Sequence, residues 1–383
     1  MDKPTVQDIF HRFYPAYLDQ YSPSPVQAKA AHNIMNCKTG AYGANVCVCE
    51  DCGFVQIHYN SCRNRCCPMC QAVPKEMWMD ARREDVLDAP YFHLVFTVPD
   101  ILNPVIYSNQ RLLYDALYHA ASSTISELTA DPKHLGAKVG YICILHTWGS
   151  EMNFHPHIHT ILLGGGLASN NQWKDNGENF FLPIRVISKM FRGKYLEELK
   201  RLWEEDKLVF HGTAEKFRNH YTFKELLDSC YGMDWIPHCK KTFNGAQTVI
   251  KYLGKYTHRI AVSNHRIVRM DDDTVTFLVK DYRNEGQWKE LTISGVEFVR
   301  RFLMHVPPRR FVRIRHYGLL CSRTKSQKLT LCRNLLGCKK YLSKLRDMEM
   351  PEILEHLYGI KVCVCKACGG HLGKPQMRMP LRC

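Results

Sequence analysis

The sequence has 383 residues, of which 45% are hydrophobic; this is enough to bury a substantial core in two or three units and excludes a disordered tail or linker. Lys and Arg outnumber Asp and Glu by 52 to 37, and the formal net charge of +15 favours a polyanionic partner, with nucleic acid as the first candidate. The sequence shows no basic amphipathic helix with a lipid-facing stripe, which argues against a membrane-surface protein.

The N-terminal segment and the cysteine content indicate a cytoplasmic protein. Residues 1–21 are polar and lack the apolar core of a signal peptide, and no later run reaches the roughly 20 apolar residues that span a bilayer. The 18 cysteines would stay reduced in the cytoplasm, so their clustering predicts metal binding and not a disulfide framework.

The first unit, residues 1–88, is predicted to be a helical, zinc-binding head that recognises DNA. Two helical stretches flank a cysteine-rich insert, residues 37–70, in which short turns replace periodic apolar patterning. Two CxxC pairs in it are separated by 14 residues, a spacing that lets four thiolates surround one Zn²⁺ in a closed structural site. These four cysteines are Cys49, Cys52, Cys67 and Cys70. Cys62 and Cys66 lie between the pairs as alternative ligands or as part of a second site.

Two arginines lie inside the same insert. A rigid zinc knuckle could present Arg63 and Arg65 to the phosphates or base edges of DNA, and a solvated loop is the simpler alternative. The zinc is given no catalytic role, because a closed four-cysteine site has no open coordination position.

The second unit, residues 89–305, alternates predicted strands and helices. Strands are predicted at 91–98, 140–148, 155–165 and near 236–243, and helices at 101–128, 185–206 and 245–259. Hairpins are predicted around the turn at residues 271–273. This order is typical of an α+β fold whose central, mostly antiparallel sheet is flanked by helices.

One of these strands carries a run of histidines. His155, His157 and His159 recur at period two, so on a strand they point from one face while Ile158 enters the core. A single histidine there would be a satisfied core residue, but three imidazoles on one face favour a divalent metal ion. His146, on the preceding predicted strand, could reach the same ion across a hairpin.

A second cluster lies in the predicted helix at 245–259. Tyr252 and Tyr256 are four residues apart and share one helix face, which taken alone is more typical of core packing. Cations such as Lys255 and Arg259 make that neighbourhood too charged for a core. They would lower the phenol pKa from about 10 and stabilise charge on an attacked phosphate. The tyrosine pair is therefore predicted to supply a nucleophile.

The third unit, residues 306–383, is basic. From Arg300 to Arg346 the sequence has 14 Lys or Arg and no Asp or Glu, with aromatic residues between them. Such a run favours a groove for the DNA backbone over a merely solvated face. The arginines expected to contact DNA are Arg309, Arg310, Arg313 and Arg315. Near the end of the chain, the pair Cys365-x2-Cys368 has knuckle spacing and could form a second zinc site.

Taken in order, these motifs resemble the two-tyrosine rolling-circle transposases of bacterial insertion sequences, which belong to the HUH endonuclease superfamily (His, hydrophobe, His) and carry an N-terminal zinc-binding domain. The resemblance spans nearly the whole chain. It rests on the segments CEDCG, NSCRNRCCPMCQ, YFHLVFTVP, HTWGSEMNFHPHIHTILLGGG, KYLGKYTHRIAVSN and FVRIRHYGLL. One departure is Cys66, where the family usually has a histidine before its CPxC knuckle. The zinc ligands and the number of zinc ions therefore stay open.

The resemblance implies a specific chemistry on an HUH-type core. His157 and His159 would be metal ligands, with a third residue completing a Mg²⁺ or Mn²⁺ site. Tyr252 and Tyr256 would be the nucleophiles. One of them would attack a scissile phosphate in single-stranded DNA at an insertion-sequence end, leaving a 5′-phosphotyrosine and a free 3′-OH. The second would permit another strand transfer without releasing the first end.

The third metal ligand and the cellular setting follow from the same resemblance. Related relaxases place a third histidine well upstream of the pair, which favours His146, whereas local geometry favours His155. A protein of this family would act in the bacterial cytoplasm, at the nucleoid, on insertion-sequence end DNA.

Three alternative functions stay open at this point. A plasmid replication initiator or a conjugative relaxase would share the chemistry but act on different DNA. A non-catalytic zinc-finger regulator would account for the charge and the cysteines but not for the histidine strand or the tyrosine pair. A metal-dependent hydrolase would need a general base near the metal, for which Glu151 is the nearby candidate.

Overall fold

A computed structural model describes residues 3–175, 182–235, 237–243, 254, 261–281 and 284–378 of the chain. It begins with two helices, α1 (Val6–Gln20) and α2 (Pro25–Met35). Both start at a capping box, in which the side chain of Thr5 or of Ser24 accepts a hydrogen bond from a backbone amide of the first turn. The boundaries of both helices are therefore set by local sequence.

The cysteine-rich insert forms a small antiparallel sheet and does not consist of turns alone. Strand β1 (Ala44–Val48) pairs with β2 (Val55–Tyr59) on one edge. On its other edge, β1 pairs with β12 (Gln376–Arg378), which comes from the far end of the chain. Helix α3 (Ala72–Arg83) follows the insert. The head therefore includes part of the C-terminal segment.

An antiparallel sheet forms the centre of the molecule. Its described strands are β3 (Tyr91–Thr97), β4 (Lys138–Trp148), β5 (Phe154–Leu167), β6 (Trp173–Asp175), β7 (His238–Phe243) and β11 (Ile314–Gly318). They follow the order β11-β4-β5-β3-β7, and β6 pairs with β5. The predicted α+β class with a central antiparallel sheet is confirmed. Strand β11 was not predicted; it lies inside the basic run and pairs with β4.

Helices cover the two faces of this sheet differently. On one face, residues such as Phe92, Leu145 and Ile158 join the largest buried cluster, together with helices α5 (Gln110–Ala130) and α6 (Ile184–Glu204). On the other face, isoleucines and leucines of β4 and β5 pack with residues of α3 and α9 (Lys325–Leu336). We call this second face the histidine face, because the histidines of β4 and β5 lie on it.

The single helix predicted at 101–128 is divided at Asn109. Helix α4 (Asn103–Ser108) ends there, and Asn109 leaves the helical region with φ −125° and ψ 38°. The buried Asn109 side chain donates to the carbonyl of Val209 at 2.7 Å and accepts from its amide at 2.8 Å. The division lets a polar side chain satisfy the backbone of a neighbouring segment.

Residues 261–306 form a second layer that joins the head. Strands β8 (Ile267–Met270), β9 (Thr274–Asp281) and β10 (Gln287–Ser294) make an antiparallel sheet, with the predicted turn between β8 and β9. Helix α8 (Gly295–Met304) follows. Its Phe302 meets Phe10 of α1 edge to face, with ring centroids 5.2 Å apart. One buried cluster thus contains residues of α1, α2 and α8.

The remaining described helices are α7 (His220–Gly232) and α10 (Met350–Tyr358). No helix in the described part of the chain is both long and apolar enough to cross a membrane.

Candidate active site and metal centres

Three histidines meet on the histidine face of the central sheet. His146 and His157 are direct cross-strand partners of β4 and β5, and His159 lies two residues further along the same face of β5. The ligand nitrogens of all three lie within 4.8 Å of one another. The Nε2 atoms of His157 and His159 are 3.0 Å apart. Imidazoles that converge from one side leave the other coordination positions of a divalent ion open for substrate.

The surroundings of these rings determine which nitrogen carries the proton. The Nδ1 of His157 donates to the carbonyl of His155 at 2.7 Å; because a carbonyl can only accept, the lone pair of neutral His157 is on Nε2. The Nδ1 of His159 lies 2.8 Å from the Nε2 of His93. Both ligand rings therefore direct Nε2 toward the shared point, while their Nδ1 atoms contact outer partners, as in protein metal sites.

Burial keeps these rings in the form that binds metal. Desolvation lowers the pKa of His157 to about 4 and the pKa of His159 well below its usual range. Both imidazoles are consequently neutral at physiological pH, and a neutral imidazole is the metal-binding form. The donor set fits a divalent cation.

Of the two candidates for the third position, the structure groups His146 with the pair. Its ring stacks on Trp148 with centroids 4.5 Å apart and meets His159 at the same separation. His155 is half-exposed, with its Nδ1 3.1 Å from a carboxylate oxygen of Asp100. His155 therefore lies on the same strand face but outside the cluster.

The predicted nucleophiles Tyr252 and Tyr256, with Lys255 and Arg259, lie outside the described residues. Gly254, between the two tyrosines, is described and buried. A Cβ added at Gly254 would be 1.9 Å from the sulfur of Met79, so Gly254 lies in close contact with this side chain. Met79 belongs to α3 and packs in the cluster on the histidine face.

The cysteines form two groups, and the single zinc site predicted from the two CxxC pairs is corrected. Cys67 and Cys70 lie with Cys37 and Cys62, whereas the first pair meets the C-terminal knuckle. The second group consists of Cys49, Cys52, Cys365 and Cys368. The β1–β2 hairpin ends between the two pairs and carries them to separate positions. Sequence reasoning missed Cys37, which precedes the insert's hairpin and has no nearby CxxC partner.

The first group is compact. The sulfur of Cys70 lies 3.4 Å from that of Cys37 and 3.5 Å from that of Cys62. Hydrogen bonds from the thiols of Cys62 and Cys67 lower the pKa of Cys70 well below its usual range. Cys66 is outside both groups, and burial raises its pKa to about 11. Although Cys66 replaces the histidine that is usual in the family, the head still has a complete set of four cysteines without it.

The predicted DNA-contacting arginines have different environments. Arg65 donates to the carbonyls of Phe311 at 2.6 Å and Pro308 at 2.9 Å, which fastens the head to the basic region. Arg315 bonds to Asp115, and its guanidinium lies 4.0 Å from the ring centre of Tyr118. These two side chains are therefore engaged in contacts within the protein.

Arg313 lies near the histidines, with its guanidinium 6.0 Å from the ring centre of Trp148. Trp148 is the residue that stacks on His146. Arg313 is thus the predicted arginine that the structure brings toward the histidine cluster.

The other arginines line a cleft of about 460 Å³ between the head and residues 306–310. Its cations are Lys29, Arg63, Arg65, Arg309 and Arg310, and we call it the basic cleft. Among the described residues that line it, none is acidic. Apart from Arg65, whose bonds are given above, these cations are solvent-exposed, as phosphate binding requires.

Comparisons with known proteins identify the family of this chain. A family model described as "Transposase zinc-binding domain" matches residues 9–98, and one described as "Putative transposase" matches residues 140–328. The chain is 40% identical over 369 residues to "Putative transposase y4qJ" of Sinorhizobium fredii, a match that covers 95% of this chain and 93% of that protein. The chain belongs to this transposase family. The family resemblance predicted from sequence is confirmed.

A second relative of this transposase is "Transposase for insertion sequence element IS801" of Pseudomonas savastanoi pv. phaseolicola, which is 30% identical over 309 residues, covering 79% of this chain and 72% of that one. Among solved structures, conjugative relaxase TrwC in complex with oriT DNA matches 43% of the transposase and 71% of its own chain, at 12% identity and a TM-score of 0.25. That TM-score is too low to establish a shared fold.

Proposed function

We propose that this transposase cuts and rejoins single-stranded DNA at insertion-sequence ends through a covalent tyrosine intermediate. The observation that supports this most is the convergence of three buried histidines, with the Nε2 atoms of His157 and His159 only 3.0 Å apart. The relatives named as transposases, one of them for an insertion sequence element, support the class of DNA.

The proposed step is an exchange of phosphate esters. The phenol oxygen of Tyr252 or Tyr256 attacks the scissile phosphorus, and the P–O3′ bond breaks. In the net reaction, the phenolic proton is transferred to the departing 3′ oxygen. The products are a 5′-phosphotyrosine and a free 3′-OH, so rejoining is the same exchange in reverse. Mg²⁺ or Mn²⁺ bound by His146, His157 and His159 would polarise the phosphate and stabilise its developing charge.

The residues of the chain prepare this reaction in two ways. His157 and His159 present lone pairs from fixed positions, because the Nδ1 atom of each ring contacts an outer partner. In the sequence, Lys255 and Arg259 adjoin the tyrosines, where positive charge favours the phenolate over the phenol. Two tyrosines would allow a second strand transfer while the first DNA end stays attached.

The position of Gly254 supports a nearby tyrosine pair. Gly254 lies between Tyr252 and Tyr256 in the sequence, and its backbone contacts Met79 of α3. Met79 packs in the cluster that covers part of the histidine face. Gly254 itself thus lies on the side of the sheet that carries the histidines.

The basic cleft supports DNA binding outside the reaction centre. Lys29, Arg63, Arg309 and Arg310 would neutralise phosphates there. Because backbone contacts fix the register of a DNA strand without reading its sequence, this cleft would hold the strand while other groups choose the cleavage position.

The test is cleavage of a labelled single-stranded oligonucleotide from an element end, in Mn²⁺, by Tyr252→Phe, Tyr256→Phe and the double variant. The double variant should bind DNA normally and lose cleavage, because only two hydroxyls are removed. Tyr221→Phe is the matched control, since Tyr221 is 76% exposed on α7. Undiminished cleavage by the double variant would exclude the tyrosine mechanism and favour activated water.

The alternatives give different results in the same assay. Cleavage of a plasmid origin in place of an element end would favour an initiator or relaxase. Binding without any cleavage by the wild-type protein, on an authentic end sequence, would favour a regulator.

A further inference from the structure

The C-terminal CxxC pair, Cys365 and Cys368, lies beside the first CxxC pair of the head, although the two pairs are far apart in the sequence. The sulfur of Cys49 lies 3.5 Å from that of Cys368, 319 residues away, and the sulfur of Cys52 lies 3.8 Å from that of Cys365. Four thiolates placed about 2.3 Å from a tetrahedral Zn²⁺ are roughly 3.8 Å from one another. The observed separations match such a site and are far longer than the ~2.05 Å of a disulfide.

The backbone around both knuckles is shaped to hold these sulfurs. In the head, the amide of Gly53 donates to the carbonyl of Cys49 at 3.1 Å and closes the first turn. In the C-terminal segment, the amides of Ala367 and Gly370 point at the sulfurs of Cys365 and Cys368, each at 3.4 Å. Amide donors of this kind stabilise a thiolate over a thiol.

Main-chain pairing brings the two knuckles together. The amide of Glu50 donates to the carbonyl of His371 at 3.1 Å, and the amide of Gly373 donates to the carbonyl of Val48 at 2.9 Å. Strand β12 continues this pairing along β1. A Cβ at Gly370 would be 1.8 Å from a carboxylate oxygen of Asp51, so the two turns are in close contact.

We propose that this group is a second structural zinc site, which fixes the C-terminal segment to the head. Its ligands are Cys49, Cys52, Cys365 and Cys368. Both C-terminal ligands lie outside the two intervals that the transposase family models match. Together with the site at Cys37, Cys62, Cys67 and Cys70, the chain binds two zinc ions through eight thiolates.

The proposed site has a structural consequence for the molecule. Without the metal, residues 363–378 are held to the head by a short strand pair, by the turns beside it and by the packing of Leu372 in a small buried cluster with Cys47. Three residues of β12 pair with β1, too few to be stable alone. The zinc therefore strengthens the attachment of the chain end to the head.

The test is the thiolate-to-cobalt charge-transfer absorbance of the full chain reconstituted with Co²⁺. This signal reports cysteine-bound metal and ignores any ion at the histidines. Cys49→Ser/Cys52→Ser and Cys365→Ser/Cys368→Ser should each lose half of it. The variant with all four substitutions should lose no more than either pair, because both pairs share one ion. Cys363→Ser, an exposed neighbour outside the group, should retain the full signal.

Two outcomes would overturn the proposal: an unchanged signal in Cys365→Ser/Cys368→Ser, or a four-cysteine variant that loses more than the two-cysteine variants. A second measurement tests the attachment. After proteolysis at a cleavage sequence inserted at the exposed Gly359, the C-terminal fragment should stay bound to the wild-type chain. A chelator should release this fragment from the wild-type chain. The fragment should also separate, without a chelator, from the Cys49→Ser/Cys52→Ser variant. A fragment that stays bound in both cases would contradict a metal attachment.

Discussion

His93 lies behind His159, with its Nε2 2.8 Å from the Nδ1 of His159 and the two rings stacked at a centroid distance of 5.1 Å. On its other side, His159 directs Nε2 toward His157. We therefore expect His93 to act as a positioning residue: it would fix the orientation of His159, a proposed metal ligand, without joining the cluster.

His93→Ala should weaken Mn²⁺ binding by roughly 10- to 100-fold, the effect typical of losing an outer-shell partner. Calorimetric titration of Mn²⁺ measures this directly, and saturating Mn²⁺ should restore cleavage. His119→Ala, on the exposed side of α5, is the control and should not change the affinity. Loss of cleavage that saturating Mn²⁺ does not restore would mean that His93 has a different role.

His146 and His155 should behave oppositely when each is replaced by alanine. His146→Ala should weaken Mn²⁺ binding by more than about 100-fold, since loss of a direct ligand exceeds the loss of an outer partner. His155→Ala should stay within about twofold of the wild type, because its half-exposed ring pairs with Asp100 outside the cluster. The reverse ranking in the same titration would assign the third position to His155.

The basic cleft should show its role in the salt dependence of DNA binding. Arg309→Ala/Arg310→Ala should lower the slope of log K against log salt by about 1.4 for single-stranded DNA, at ~0.7 per phosphate contact. Arg218→Ala, which removes an exposed arginine paired with Glu215, should leave the slope unchanged. An unchanged slope in the double variant would mean that the DNA backbone does not enter the cleft.

Phe302 should be essential for joining the head to the second layer. Its ring is fully buried against Phe10, so Phe302→Ala should reduce the free energy of unfolding by about 3–5 kcal/mol in urea at fixed zinc. Leu18→Ala, at a 49% exposed position of α1, should stay within about 0.5 kcal/mol. A loss below about 1 kcal/mol at Phe302 would show that α1 does not depend on α8.

The sequence was sufficient to predict that the histidines share one face of a strand, but not which of them join the cluster. Period-two spacing on a strand is a local property, so the common face of His157 and His159 follows from the sequence alone. The choice between His146 and His155 depends on the register of β4 against β5, which places His146 directly opposite His157. A register shifted by one residue would turn His146 to the other face.

The sequence could not show which CxxC pairs lie together in the structure. CxxC spacing identifies pairs of ligands, but the partner of each pair is set by tertiary structure. Cys49 and Cys52 meet cysteines more than 300 residues away, because β12 returns to β1. No local pattern connects those segments, so the nearer pair at Cys67 and Cys70 was the wrong partner.

The basic run was interpreted by its charge, which hid strand β11. Within that strand, Arg315 turns to the face of the sheet that α5 covers and bonds to Asp115 of that helix. A run of positive charge thus contained both solvent-exposed cations and cations engaged in packing. Composition alone does not separate them, because the separation depends on strand alternation.

Peptide mapping by mass spectrometry of the denaturation-resistant product formed with a single-stranded element end and Mn²⁺ is the most direct test of the tyrosine mechanism. The tyrosine mechanism predicts a nucleotide covalently attached to Tyr252 or Tyr256. It also predicts no adduct in a variant that lacks His157 and His159. Cleaved DNA without any protein adduct, or an adduct on a tyrosine elsewhere in the chain, would contradict it.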